Sequence, residues 1–160
     1  TTTAALFYNN RLSIGHVVYS RLYRLRGDTL SQLTEDHTVI QELLNGGLYS
    51  RKQAEKTINR NIVTRAVGVT PNLKVDIVEL GAMPGDIYLI CSDGLTDPVS
   101  DEEIKTRLET TAELDRCSQG LVDLAKNHGG NDNISVILIR VLKSYPAKFN
   151  FIQKITNWFS

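Results

Sequence analysis

Residues 4–8 and 12–18 are apolar-rich runs separated by Asn9-Asn10, with Arg11 following. Asparagine tolerates positive φ, so this pattern predicts a tight hairpin. Tyr19 to Arg26 alternates as a strand, and Arg26-Gly27-Asp28 turns the chain back towards Leu30-Ser31-Gln32-Leu33, extending an antiparallel meander. Val39, Ile40, Leu43 and Leu44 then fall at helical spacing, with Thr34 or Asp36 as the cap and Gly46-Gly47 as the stop. Ser50 opens a second helix, Arg51 to Ile58, which is almost wholly polar. A helix with so little to bury has few contacts, so residues 46 to 60 are expected to be the least ordered part.

Ile62 to Val67 and Val75 to Leu80 read as further strands. Met83-Pro84-Gly85-Asp86 is a turn, and Ile87 to Cys91 is continuously apolar, the signature of a strand covered on both faces. Pro98-Val99-Ser100-Asp101-Glu102-Glu103 starts a helix with acids in its first turn, which suits the macrodipole. Leu114 to Asn127 is amphipathic through Leu121, Leu124 and Ala125, and Asn133 to Leu142 is the last long strand. Strands early and in the middle, with helices between the last two, predict an α+β fold of antiparallel sheets packed face to face with helices outside.

The end of the chain changes character after Pro146. Phe151, Ile152, Ile155, Trp158 and Phe159 share one helical face, with Lys148 and Lys154 beside it. Residues 143–160 are therefore set apart from residues 1–142 as an amphipathic tail, either contacting a membrane or partner or docked on the chain's own sheet. Charge adds little else. The 18 basic and 18 acidic residues cancel, leaving no basic excess for nucleic acid. Two cysteines, Cys91 and Cys117, are too few for a disulfide framework, and the compartment expected is cytoplasmic. Cys91 reads as a small core residue rather than a reactive thiol.

The candidate chemistry lies at the end of one strand and the start of another. Leu89-Ile90-Cys91 runs straight into Ser92-Asp93-Gly94-Leu95-Thr96-Asp97, and Gly129-Gly130-Asn131-Asp132-Asn133 runs straight into Ile134 to Ile139. Adjacent strands would bring Asp93 and Asp132 together, and two carboxylates sharing a site need a cation or proton between them. Oxygen-only ligands suit a hard divalent ion, manganese or magnesium.

These motifs resemble the C-terminal metal-binding signature of the PPM family, the metal-dependent (type 2C) protein serine/threonine phosphatases. Ser20-Arg21-Leu22-Tyr23-Arg24 resembles the family's Gly-Asp-Ser-Arg-x-Tyr segment. Leu33-Thr34-Glu35-Asp36-His37-Thr38 resembles the approach to its flap, Asn61 to Gly68 the strand after it, and Pro84 to Leu89 the strand before the first aspartate. The resemblance runs over residues 1 to 142. It implies a four-layer αββα sandwich, incomplete at the N-terminus because the chain starts at Thr1 in what reads as the middle of a family strand. It implies Asp93 and Asp132 as metal ligands in a two-metal Mn2+ or Mg2+ site only partly supplied by this chain. Gly94, Asn133, Asp97 and Arg65 would support that site, and Gly47, Leu48, Tyr49 and Ser50 would belong to the flap. The nucleophile implied is a metal-activated water, with no catalytic side chain.

The implied activity is hydrolysis of phosphoserine and phosphothreonine on proteins in signal transduction, by a monomer, with a serine/threonine kinase as a further partner. Two departures bear on it. The part of the family domain carrying an Asp-Gly ligand pair and a phosphate-holding arginine is not in this sequence. Val18-Tyr19 also stands where the family has Gly-Asp, the aspartate that helps hold a third metal in bacterial members. Negligible activity is therefore expected of this chain alone, and the alternative is an inactive module that binds phosphoproteins or a kinase. Asp97 is read as the cap before Pro98. Asp36 and His37 are read as cap and solvated neighbour rather than acid catalysts, and His16 and His128 lack zinc-binding spacing.

Overall fold

Asn9 and Asn10 adopt φ of 46° and 55° and close β1 (Thr2–Tyr8) onto β2 (Arg11–Val17) as an antiparallel hairpin. The structure is a computed structural model that describes residues 1–47, 53, 62–69 and 72–147. A second hairpin joins β3 (Arg21–Arg26) to β4 (Thr29–Gln32) around Gly27. β5 (Asp76–Gly81) pairs with β2, giving a three-stranded sheet in the order β1-β2-β5. β6 (Ile87–Cys91) and β7 (Val136–Arg140) extend the other sheet to the order β4-β3-β6-β7. All pairings are antiparallel.

The apolar run of β6 is explained by two cores on its two faces. Tyr88 faces the other sheet with Leu12, Ile14 and Leu22, and its ring meets Phe7 edge-on at 5.2 Å. Ile87, Leu89 and Cys91 face the opposite way, against the helices. Those helices are α3 (Asp101–Thr110) and α4 (Leu114–Asn127), which bury Ile104, Leu108, Cys117, Leu121 and Ala125. The α+β antiparallel sandwich read from the sequence is thus the architecture observed, with its described helical layer on the four-stranded sheet. The three-stranded sheet exposes Leu6 and Ile77.

Several local expectations are corrected. The helix α1 (Val39–Asn45) is capped by Thr38, whose Oγ1 accepts from the Gln41 N–H at 2.9 Å. Thr34 instead accepts the Leu22 N–H within the sandwich, and Asp36 is taken by Arg21. Ile62 to Val67 is not a strand; Val63 makes one isolated bridge to Thr38, and Arg65 turns away to Asp76. A short helix, α2 (Asp93–Thr96), follows β6, and Asp97 closes α2 rather than capping α3. Ser100 is the cap of α3. Its hydroxyl accepts from the Glu103 N–H and the Glu103 carboxylate returns to the Ser100 N–H. Ser100→Ala is expected to lower stability by about 1 kcal/mol, or about 2–4 °C in Tm. Thermal unfolding followed by circular dichroism checks this, and an unchanged Tm would count against the cap.

Beyond β7 the chain returns to the first hairpin. The Tyr145 N–H donates to Asn10 Oδ1 at 2.6 Å and the Ala147 N–H to Asn9 Oδ1 at 2.8 Å. The tail helix expected over Lys148 to Phe159 and most of the segment expected to be least ordered lie outside the described residues.

Candidate metal centre

The end of β6 and the approach to β7 are fastened by one serine. The Ser92 N–H donates to the Ser135 carbonyl at 3.1 Å, and the Ser135 N–H donates to Ser92 Oγ at 3.0 Å. Ser92 Oγ in turn donates to the Asn133 carbonyl at 2.9 Å. Beside it, a Cβ on Gly94 would stand 2.4 Å from the Asn133 carbonyl oxygen, so only glycine fits. The Asp93-Gly94 and Asp132-Asn133 segments are therefore held against each other at the same end of the sheet. Each carboxylate is oriented by the next residue: Gly94 N–H donates to Asp93 Oδ1 at 3.1 Å and Asn133 N–H to Asp132 Oδ1 at 2.7 Å.

The surroundings are acidic and partly buried. Tyr19 and Asp93 each lie two residues beyond Arg21↔Cys91, the last pair of the β3–β6 ladder. Burial raises the pKa of the Tyr19 phenol, and the carboxylates of Asp93, Asp36 and Asp97 raise it further. Tyr19 follows Val18, which adopts φ of 85°. That conformation costs a β-branched residue about 1–3 kcal/mol and persists only where neighbours impose it. Arg21 grips Asp36 through Nε and Nη2 at 2.9 and 2.6 Å, and its Nη1 donates to the Tyr23 hydroxyl, which donates to Asp101 at 3.0 Å. Cys91 lies beneath this network, 2 % exposed, its thiol pushed up to about 12 mainly by burial. A thiol that stays protonated is no nucleophile, so Cys91 is a core residue.

Residues 45–142 match the family described as Stage II sporulation protein E (SpoIIE). The chain is 37 % identical over 139 residues to the serine/threonine phosphatase Stp of Listeria welshimeri, covering 87 % of this chain and 55 % of that protein. It belongs to this SpoIIE/PPM phosphatase family. The crystal structure of the Mycobacterium tuberculosis serine/threonine phosphatase PstP superposes with a TM-score of 0.80 at 38 % identity, over 88 % of this chain and 59 % of that one. The PstP catalytic domain solved with two manganese ions gives 0.78 at 37 % identity, over 88 % and 58 %. The chain spans about half the length of the relatives it matches.

Within this PPM fold the residues singled out in the sequence are dispersed. Asp93, Gly94, Asp132 and Asn133 come together; Asp97 is one α2 turn from Asp93, its N–H donating to the Asp93 carbonyl at 2.8 Å. Arg65 is placed elsewhere, bonded through Nη1 to Asp76 Oδ1 at 2.6 Å. Gly47 follows α1 with φ of 66°, while Leu48, Tyr49 and Ser50 are outside the described residues. Asp36 and His37 are not cap and solvated neighbour: Asp36 is paired with Arg21, and His37 is 5 % exposed. His16 is equally buried, its ring 4.9 Å from that of His37, while the His128 ring lies 2.9 Å from the Pro98 carbonyl. No group of three or more His, Cys, Asp or Glu side chains able to hold a metal occurs among the described residues. The burial of His37 and its link to Asp76 are not legible in the sequence, because its contacts are made by distant segments.

Proposed function

We propose that the chain supplies Asp93 and Asp132 as ligands of a divalent ion, Mn2+ or Mg2+, in a two-metal centre that hydrolyses phosphoserine and phosphothreonine on proteins. The observation that carries this is the close approach of Gly94 to the Asn133 carbonyl, which sets two acid-bearing turns side by side. The donor set fits a hard cation in part: two carboxylates, each with one oxygen oriented by a backbone N–H. Such ions take more oxygen ligands than two carboxylates offer, so the centre needs groups beyond the described residues. Two such ions, held by these carboxylates and by further ligands, would supply an activated water for attack on a phosphoryl group. The role of this chain's residues is to hold and orient. Ser92 fixes the two turns, the Gly94 and Asn133 N–H groups aim the carboxylates, and Arg21–Asp36 supports the strand behind them. The names of the relatives support phosphoproteins as the substrate class.

A second reading, a non-catalytic module that binds phosphoproteins, is favoured by Tyr19, an aromatic residue close enough to Asp93 for that carboxylate to raise the pKa of its phenol. Mn2+ titration of the chain followed by NMR separates the two. Paramagnetic broadening is expected at Asp93-Gly94 and Asp132-Asn133, weakened about tenfold or more by Asp93→Asn, with negligible turnover of a phosphopeptide by this chain alone. Broadening scattered over surface acids and indifferent to Asp93→Asn would overturn the metal reading. Turnover abolished by Asp93→Asn would show that the centre is more complete than proposed.

A further inference from the structure

His37 joins three distant parts of the chain, and each of its polar groups is engaged. Its N–H donates to the Val18 carbonyl at 3.1 Å, and its own carbonyl accepts from the Thr64 N–H at 2.9 Å. Ring Nδ1 accepts the Val18 N–H at 3.2 Å. The ring proton therefore sits on Nε2, which donates to Asp76 Oδ2 at 2.9 Å. The other Asp76 oxygen takes Arg65 Nη1, so Arg65 stands beside the ring because the carboxylate holds it there. Val63 bridges Thr38, and the Val39 N–H donates to the Ile62 carbonyl, so the segment 62–65 lies along the residues that carry His37.

At the other end of this chain of contacts is Val18. Both its N–H and its carbonyl are held by the same histidine, and its φ is 85°. A valine released from that clamp would leave the left-handed region, because its branched side chain disfavours it. The next residue, Tyr19, lies two residues beyond the Arg21↔Cys91 pair, as Asp93 does on the other strand, and the Asp93 carboxylate acts on its phenol. A clamped and a relaxed turn are two discrete arrangements, which is what coupling between separated segments requires.

We propose that His37 is a positioning residue of the metal centre: it holds Val18 in the left-handed conformation that brings Tyr19 to the Asp93 end of the sheet, and through Asp76 it ties that turn to Arg65 and residues 62–65. This rests on the proposed function for what Asp93 does, but not for the clamp itself. The Asp76 carboxylate acts on the ring as an outer partner does on a ligating histidine, fixing the tautomer that leaves Nδ1 free to accept.

Two variants divide the ring's halves. His37→Asn keeps an oxygen near the position of Nδ1 and loses the reach to Asp76. His37→Gln reaches Asp76 and offers Val18 no acceptor. Amide exchange in the metal-free chain is expected to rise about tenfold or more at Val18 in the Gln variant, with Ile87 to Cys91 unchanged and with a clearly smaller rise at Val18 in the Asn variant. Arg65→Ala should speed exchange at Val18 in the parent chain and add nothing in the Asn background. Mn2+ broadening at Gly94 should weaken several-fold in the Gln variant only. A histidine that merely fills the core would give both variants the same loss of protection across the domain, and that result overturns the proposal. So does a Gln variant that exchanges faster yet binds Mn2+ as the parent does. If the parent shows no Mn2+ site while the exchange results hold, the metal reading fails and the clamp stands.

Discussion

Gly94→Ala is expected to lose about 3 kcal/mol of stability, or about 6–12 °C in Tm, together with the Mn2+ site. The added methyl would meet the Asn133 carbonyl carbon at 2.9 Å as well as its oxygen, and neither can swing aside as a flexible side chain would. Relief requires the two turns to part, and parting them breaks the Ser92 hydrogen bonds to Asn133 and Ser135. Asp93→Asn is the control, since it removes the ligand without forcing the turns apart. Differential scanning calorimetry with Mn2+ titration distinguishes the two variants. A Gly94→Ala chain that melts with the parent would mean that the turns are not held in the close contact described.

Asp86→Asn is expected to cost about 3 kcal/mol, at the low end for breaking a buried ion pair. The carboxylate is 1 % exposed and takes four donors. Arg26 Nε and Nη2 approach at 2.7 and 2.8 Å, the Met83 N–H at 2.8 Å and the Tyr88 hydroxyl at 2.9 Å. Asparagine keeps the shape but turns an acceptor into a donor facing Arg26. The loss is moderated because Arg26 is 35 % exposed and can rehydrate. Burial alone would raise the Asp86 pKa; the Arg26 guanidinium, the Met83 N–H and the Tyr88 hydroxyl outweigh it and hold the carboxyl below its ordinary 3.8. A depressed carboxylate stabilises the fold fully above that ordinary value and loses its contribution as pH falls through the folded value. Denaturant titrations from pH 7 into the acid range should show the parent declining below the ordinary value more steeply than the variant. Parallel curves would remove Asp86 from the acid sensitivity of the fold.

What could be read from the sequence was whatever depends on nearby residues. The helix Leu114–Asn127 was bounded correctly because its apolar positions recur over several turns and glycines follow it. Ile87 to Cys91 was legible as a doubly covered strand because no polar residue interrupts it, and both cores are found on it. The helix α2 was missed because four residues cannot display a helical period. Thr38 does not stand out as the cap in the sequence because Thr34 and Asp36 are equally good capping residues in isolation. They are taken by Leu22 and Arg21, which lie 12 and 15 residues away in the chain. The same holds for the site. Asp93 and Asp132 stand out because each interrupts or introduces an apolar run, whereas His37 reaches Val18 and Asp76 across 19 and 39 residues. Nothing near His37 in sequence distinguishes it from a solvated histidine at a helix start.

The attachment of Tyr145 to Asn10 across 135 residues has a consequence for the order of events in folding. The two hairpins, β1–β2 and β3–β4, close over short loops and can form in microseconds. Their union waits for β5 and β6, and the final return to Asn10 closes nearly the whole length of the described chain. Each such closure must meet its entropy before any contact repays it, so a topology of this kind belongs with the millisecond-to-second folders. The Asn9-Asn10 turn thus acts at both ends of that timescale. It closes the β1–β2 pairing locally, and it also receives the segment that follows β7.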